Sequence, residues 1–286
     1  MSQTWFITGA SSGFGLDLAL YALQAGHKVI GTVRDTTRSS SAIDAIKSNG
    51  GKIVELDVTK AETVSAVVEQ ANALYGGIDI LVNNAGYSIL GAVEDFTEAE
   101  AKAQLETNFF GPLRLIQAFL PTLRSRPAAA TIVSISSVAG QDAQPSCALY
   151  AASKFALEGL SEALSKEVAP FGIDVLIVEP GAFRTNFLSA VQKSATPLSG
   201  PYRGGLVDVV LGKFEAARGK QRGDPAKAVK KLFEVVTGTG EAGGLKGGVL
   251  RLPLGPDAVE RIEMKTRKVQ ADVEAARSVA LSTDFD

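Results

Sequence analysis

The sequence predicts an α/β fold: a mostly parallel, doubly wound sheet with helices on both faces. Three observations carry that expectation. Apolar runs of strand length alternate with segments of helical period along most of the chain, and parallel neighbours need a crossover between them. A glycine-rich turn, Thr8-Gly9-Ala-Ser-Ser-Gly13-Phe-Gly15, lies between the first strand and the first helix. The 286 residues, 45% hydrophobic and 21% charged, suffice for one large domain with a sizeable core.

The elements follow in order. Trp5 to Gly9 reads as a strand and Phe14 to Ala25 as a helix; Lys28 to Val33 and Lys52 to Leu56 are strands. Val64, Val67, Val68, Ala71 and Leu74 recur with a period near 3.6 and predict a helix. Ile78 to Val82 is a strand. A helical stretch runs from Glu98 to Arg124, with Pro112 and Pro121 expected to bend or interrupt it. Thr131 to Ile135 is a strand, Tyr150 to Val168 a helix burying Phe155, Leu160, Ala163 and Leu164, and Ile173 to Val178 a β-branched strand. From about 184 to 224 prolines and glycines break the pattern, as in a functional lid with short helices. A helix from Pro225 to Val236, a last strand within 247–252 and a charged helix from Pro256 to about Val279 complete the chain. With right-handed crossovers this is a Rossmann-type single domain, 1–255 with the lid at about 184–224. A helical extension, 256–286, packs on it. Ligands in such sheets lie at the carboxyl ends of the strands.

Composition narrows the function. The formal charge of −2 and the lack of a basic block point away from nucleic acid and anionic membranes as partners. No apolar run reaches the ~18–20 residues of a membrane span, and no signal peptide opens the chain. One cysteine, Cys147, allows no internal disulfide and no cysteine-based metal cluster. It fits a cytoplasmic setting, and no metal is expected. His27, the only histidine, falls in a turn and reads as a surface residue.

The chemistry gathers at strand ends. Glycines let the first turn approach a pyrophosphate, which the following helix N-terminus attracts. The spacing is Gly-x-x-x-Gly-x-Gly. Asp57-Val58 follows the third strand, where a carboxylate suits an adenine amino group; Asn83-Asn84-Ala85-Gly86 follows the fourth and Ser136-Ser137 the fifth. Glu179-Pro180-Gly181-Ala-Phe183-Arg-Thr185 follows the sixth. Tyr150 and Lys154 stand four apart, on one face of a helix. A phenol ionises near ~10, so it needs nearby positive charge to act as a base at neutral pH.

Together, over about residues 4 to 185, these motifs resemble the short-chain dehydrogenase/reductase family. The extension is similar to a subgroup near retinol and 17β-hydroxysteroid dehydrogenases. The resemblance implies a catalytic tetrad of Asn108, Ser137, Tyr150 and Lys154. Tyr150 would be the general acid/base, Ser137 would bind the substrate oxygen, and Lys154 would hold the ribose and lower the Tyr150 pKa. Asn108 would anchor a proton relay. The cofactor would lie on Gly9, Ser11, Ser12, Gly13, Phe14 and Gly15. Asp57 and Val58 would sit at its adenine and Asn84, Ala85 and Gly86 along it. Tyr150, Lys154, Pro180, Gly181, Phe183 and Thr185 would take its nicotinamide end.

The second strand ends Val33-Arg34-Asp35. Arg34, with help from Arg38, suits a 2′-phosphate, so NADP(H) is the expected cofactor and NAD(H) the alternative. Phe183, Phe187, Leu188, Val191, Tyr202, Leu206 and Val207 favour an apolar ketone, aldehyde or secondary alcohol as substrate. The resemblance implies a homodimer or homotetramer; the extra terminal helix leaves a monomer open. The competing readings are a non-catalytic NADP-sensing regulator on the same fold, a structural subunit, and a reductase of carrier-bound acyl groups.

Overall fold

Short β-branched runs, buried on both faces, form the sheet. In the computed structural model, which describes residues 2–126 and 130–285, the strands are β1 (Thr4–Ile7), β2 (Lys28–Val33), β3 (Lys52–Glu55), β4 (Ile80–Asn83), β5 (Ile89–Leu90), β6 (Ala130–Ile135), β7 (Ile173–Pro180), β8 (Gln192–Lys193) and β9 (Arg251–Leu254). The helices are α1 (Gly13–Gln24), α2 (Ser40–Ser48), α3 (Val64–Tyr75), α4 (Glu98–Leu105), α5 (Gly111–Arg124), α6 (Ala148–Val168), α7 (Leu206–Ala216), α8 (Pro225–Thr237) and α9 (Pro256–Leu281). Seven strands pair in parallel in the order β3-β2-β1-β4-β6-β7-β9. The order reverses between β1 and β4, which opens a crevice at their carboxyl ends.

Alternation along each strand feeds two cores. Trp5, Ile7, Val82, Val133 and Val178 meet α1 and α8 on one face, through Leu18, Ala22, Val229 and Leu232. Phe6, Ile30, Leu81 and Ile132 meet α3, α5 and α6 on the other, through Val67, Phe119 and Leu164. Among the described residues no helix is long and apolar enough to cross a membrane.

Several elements differ from the sequence expectation. A helix, α2, fills what reads as a connection between β2 and β3. The stretch from Glu98 divides into α4, a π-helical turn Glu106–Phe110, and α5. Pro112 opens α5, where its missing N–H costs nothing, while α5 continues through Pro121. On α6 Leu164 is buried, but Phe155 and Ala163 face outward; the inner face carries Ser153, Lys154, Leu157, Glu158 and Ser161 instead. His27 is half-buried: Nδ1 accepts from Gln3 N (3.2 Å) and Trp5 Nε1 (3.3 Å), and its ring meets Phe233 edge-on. The first turns of α9 pack down through Ala258, whereas residues 266–285 are all exposed.

Candidate active site

The carboxyl ends of β1, β4, β6 and β7 build one crevice. After β1 the chain turns through Gly9 (φ +66°) and Gly13 (φ +54°), left-handed conformations open to glycine. At Gly15 the constraint is packing: a Cβ would lie 2.5 Å from both Gly9 O and Asn84 Nδ2. Asn84 Nδ2 donates to Thr8 O (2.8 Å), and the Asn84 and Ala85 amides donate to Thr8 Oγ1 (2.9 Å each). The loop after β4 thus clamps the glycine turn. Ser12, at the N-cap of α1, makes no side-chain cap bond. The first N–H groups of α1 therefore keep their capacity for an anion. This bare main chain at a helix N-terminus fits a dinucleotide pyrophosphate, and Ser11 lies in the same turn. Thr185 approaches Gly13, at 3.5 Å from a Cβ built there, and the Phe14 and Phe183 rings meet at 5.2 Å.

At the end of β2, Val33 is buried and Arg34 exposed. The Asp35 carboxylate accepts from Thr37 N (2.8 Å) and Thr37 Oγ1 (2.6 Å), and these bonds hold it below the usual carboxylate range. Arg34 and Arg38 have no ion pair among those of the described residues. Asp57 Oδ1 accepts from Thr59 N and Oγ1, which fixes the loop after β3, while Val58 is buried against the Gly111 backbone.

The four polar residues of the expected tetrad converge. Lys154, buried on the inner face of α6, donates from Nζ to Ile135 O (2.8 Å) at the end of β6. Its Nζ is 5.7 Å from the centre of the Tyr150 ring. Asn108, fully buried in the π turn, donates from Nδ2 to Tyr87 O (2.9 Å) and Ser153 Oγ (3.0 Å) and accepts from Tyr87 N (3.1 Å). A Cβ on Gly86 would be 3.1 Å from Asn108 Oδ1 and 3.6 Å from Lys154 Nζ, so Gly86 lets these groups meet. Ser137 accepts from Ala139 N (3.1 Å), which orients its hydroxyl.

Burial governs the electrostatics of this pair. Burial pushes the Tyr150 phenol up to about 12, against the pull of the neighbouring Ser137 hydroxyl. Burial also pushes Lys154 down to about 8, opposed by Glu158 one turn on. Both charged forms lose solvation, so the phenol stays protonated in this state. Cys147 is likewise pushed up, to about 11, by burial, which keeps the thiol protonated at neutral pH.

The proposed lid is only partly a pocket wall. The Phe187 ring sits 5.6 Å from Tyr150. Leu188 and Val191, by contrast, line a small crevice with Leu90, Leu211 and Phe214 and pack the lid itself, while Leu206 is 66% exposed. Sequence reading missed the tethers of the lid: β8 pairs with β5, and Ala195 N donates to Glu100 Oε1 (2.7 Å). It missed Asp257 as well, whose Oδ2 accepts from Ala182 N (2.8 Å) beside Pro180 and Gly181. No local pattern announces either contact.

Residues 3–196 match the family model described as short chain dehydrogenase. The chain belongs to the short-chain dehydrogenase/reductase family of oxidoreductases. It is similar to oxidoreductase claN of Passalora fulva, with 47% identity over 212 residues, covering 74% of this chain and 95% of that one. The crystal structure of a short-chain dehydrogenase from Streptomyces avermitilis superposes with a TM-score of 0.87 at 39% identity, covering 99% and 98% of the two chains. A metagenomic short-chain oxidoreductase solved in complex with NADP aligns at a TM-score of 0.60 and 30% identity, over 64% of this chain and 85% of that one.

Proposed function

We propose that this protein is an NADPH-dependent carbonyl reductase, running in reverse as an alcohol dehydrogenase, on apolar ketones, aldehydes or secondary alcohols. The convergence of Ser137, Tyr150, Lys154 and Asn108 beside the glycine cradle carries this reading. Family membership supports a nicotinamide cofactor, as does the NADP bound to the metagenomic relative. Arg34, exposed beside a carboxylate already engaged by Thr37, supports the 2′-phosphate over a free ribose hydroxyl. NAD(H) remains the weaker cofactor. When bound, the nicotinamide supplies or accepts the hydride.

The residues of the chain handle the proton. Tyr150 gives its proton to a substrate carbonyl oxygen; burial alone makes the phenol a weaker acid, so the transfer draws on the Lys154 charge beside it. Ser137 donates a second hydrogen bond to the same oxygen, where charge develops. Lys154 supplies positive charge that offsets the phenolate left behind, and Asn108 fixes the Tyr87 loop against α6 so that the groups keep their spacing. Phe187, 5.6 Å from the Tyr150 ring, supplies an apolar wall of the site. The lid of about 184–224 and the extension from 256 are parts of the catalytic domain. Exposed Phe110 and Phe155, near the outer faces of α5 and α6, support a homodimer or homotetramer. A cytoplasmic setting fits the single, buried Cys147.

The test is Tyr150→Phe, assayed by NADPH oxidation with aldehydes, diketones, quinones and steroid ketones. NADPH binding stays within about twofold of wild type while turnover drops roughly 100-fold or more. Undiminished turnover in this variant would remove Tyr150 from the chemistry.

A further inference from the structure

We propose that the first two turns of α9 set two loops of the crevice at once, with Asp257 as positioning residue for the loop after β7 and Arg261 for the loop after β6. The roles assigned to those loops rest on the function proposed above.

The loop after β7 is held by main chain and carboxylate together. Gly181 N donates to Leu254 O (2.9 Å) at the end of β9, and Ala182 N donates to Asp257 Oδ2 (2.8 Å). The carboxylate lies directly over Gly181: a Cβ there would sit 2.3 Å from Oδ1 and 2.4 Å from Oδ2. Gly181 does not have a left-handed backbone. It is therefore glycine for want of space, and Asp257 takes that space. Asp257 lies in the first turn of α9, where negative charge is favoured, yet its bond goes to the neighbouring loop. The chain then runs through Phe183, packed over Gly255 and against Phe14, to Thr185 over Gly13. A shift at Ala182 is thus passed along a short, packed segment to the glycine cradle.

One helical turn on, Arg261 grips the other loop. Nε donates to Asp142 Oδ2 (2.8 Å) and Nη2 to Asp142 O (2.7 Å). Asp142 closes the turn that begins at Ser137, since Asp142 N donates to Val138 O (2.9 Å) and Gly140 N to Ser137 O (2.8 Å). Asp257 and Arg261 are four residues apart and share a helix face. β6 and β7 are neighbours in the sheet. A single rigid face therefore spaces the loop bearing Ser137 from the loop at the nicotinamide end.

The two contacts separate kinetically. Asp257→Ala removes a charged acceptor and frees 181–185, so the Kd and KM for NADPH rise roughly tenfold to a hundredfold, with kcat within about threefold. Asp257→Asn keeps an oxygen for Ala182 N and recovers most of the loss. Arg261→Ala loosens Ser137, so kcat falls while the KM for NADPH stays within about twofold. Gly181→Ala is damaging in wild type and much less so when combined with Asp257→Ala, because the clashing oxygens are gone. Hydrogen exchange of peptides covering 180–186 and 137–142 gives a readout independent of activity: the first quickens in the Asp257 variant, the second in the Arg261 variant. Wild-type exchange at 180–186 in Asp257→Ala, or Gly181→Ala equally damaging in both backgrounds, overturns the proposal. Wild-type protein that fails to bind NADPH overturns the functional reading instead, and the exchange and Gly181 arms still judge the positioning role. Should Asp257→Ala not fold, Asp257→Asn and Arg261→Ala carry the same exchange test.

Discussion

Asp35 and Arg34 stand side by side at the end of β2, and the fold gives them opposite fates. Asp35 is tied to Thr37, while Arg34 extends into solvent. Arg34→Ala therefore raises the KM for NADPH roughly tenfold to a hundredfold, as expected for a lost charged contact, and leaves that for NADH within about twofold. Equal losses in both would sink the NADP assignment. Residues of this kind are legible when chemistry and backbone agree: the spacing of Gly9 and Gly13 suffices to suggest a turn, and both have positive φ. Gly15 and Gly181 are glycine because of Asn84 and Asp257, partners remote in sequence. The Tyr150/Lys154 pair is legible as a spacing, but not as an energy. Desolvation, which raises one pKa and lowers the other, appears only once the helix is buried.

At the scale of elements, α6, β7 and β9 are joined by acids gathered around Arg251, of which Glu158 and Glu179 are buried. Arg251 on β9 donates from Nε to Glu158 (3.0 Å) and from Nη2 to Glu162 (2.7 Å), and lies 3.6 Å from Glu179 on β7. Gln141 donates to both Glu158 and Glu179. Burial, then repulsion from Glu158, pushes Glu179 up to about 7. Its ordinary pKa is about 4.3, so between roughly pH 4.5 and 7 the native state holds a proton that the unfolded chain has released. This group favours folding at the acid end of that window, and its contribution is lost as pH rises through 7. Glu179→Gln keeps the acceptor for Gln141 and removes the charge. Its thermal midpoint exceeds that of wild type by a few degrees at pH 8, and the gap narrows steadily as pH falls through the window and closes only near its acid end; a gap independent of pH counts against this account. The sequence shows these elements with small errors at their ends. It does not show α2, whose nine residues hold only Ala42, Ile43 and Ile46 as a buried face. Nor does it show the π turn, which places Asn108 where an α-helix leads through without a break.

The whole molecule is a parallel sheet whose crevice, at the carboxyl ends of the strands, is closed by segments far apart in the chain. The double-wound order follows from alternation of strand and helix, and so it was readable; the closure was not, because it depends on single long-range contacts. The lid shows this best. Its strand β8 is two residues long and pairs with β5, itself two residues, just after the Gly86 loop. Buried Asp95 then holds the far side: Ser199 N donates to Oδ2 (3.0 Å), Ser199 Oγ donates to Oδ1, and Ser194 Oγ donates to the Asp95 carbonyl (2.9 Å). Through these tethers the lid keeps Phe187 over Tyr150. Asp95→Ala deletes the carboxylate contacts, at a local cost of about 1.5–3 kcal/mol per hydrogen bond to a charged group. Opening of the lid becomes at least about tenfold more frequent, so limited proteolysis between 195 and 220 accelerates by a similar factor where cleavage follows a rapid opening equilibrium. The KM for apolar ketones rises with it. NADPH affinity stays within about twofold, since the glycine cradle and Arg34 lie on strands that Asp95 does not touch. A variant cleaved no faster than wild type would show that the β5–β8 pairing and the contacts of Ser194 and Ala195 hold the lid over the phenol without the Asp95 carboxylate.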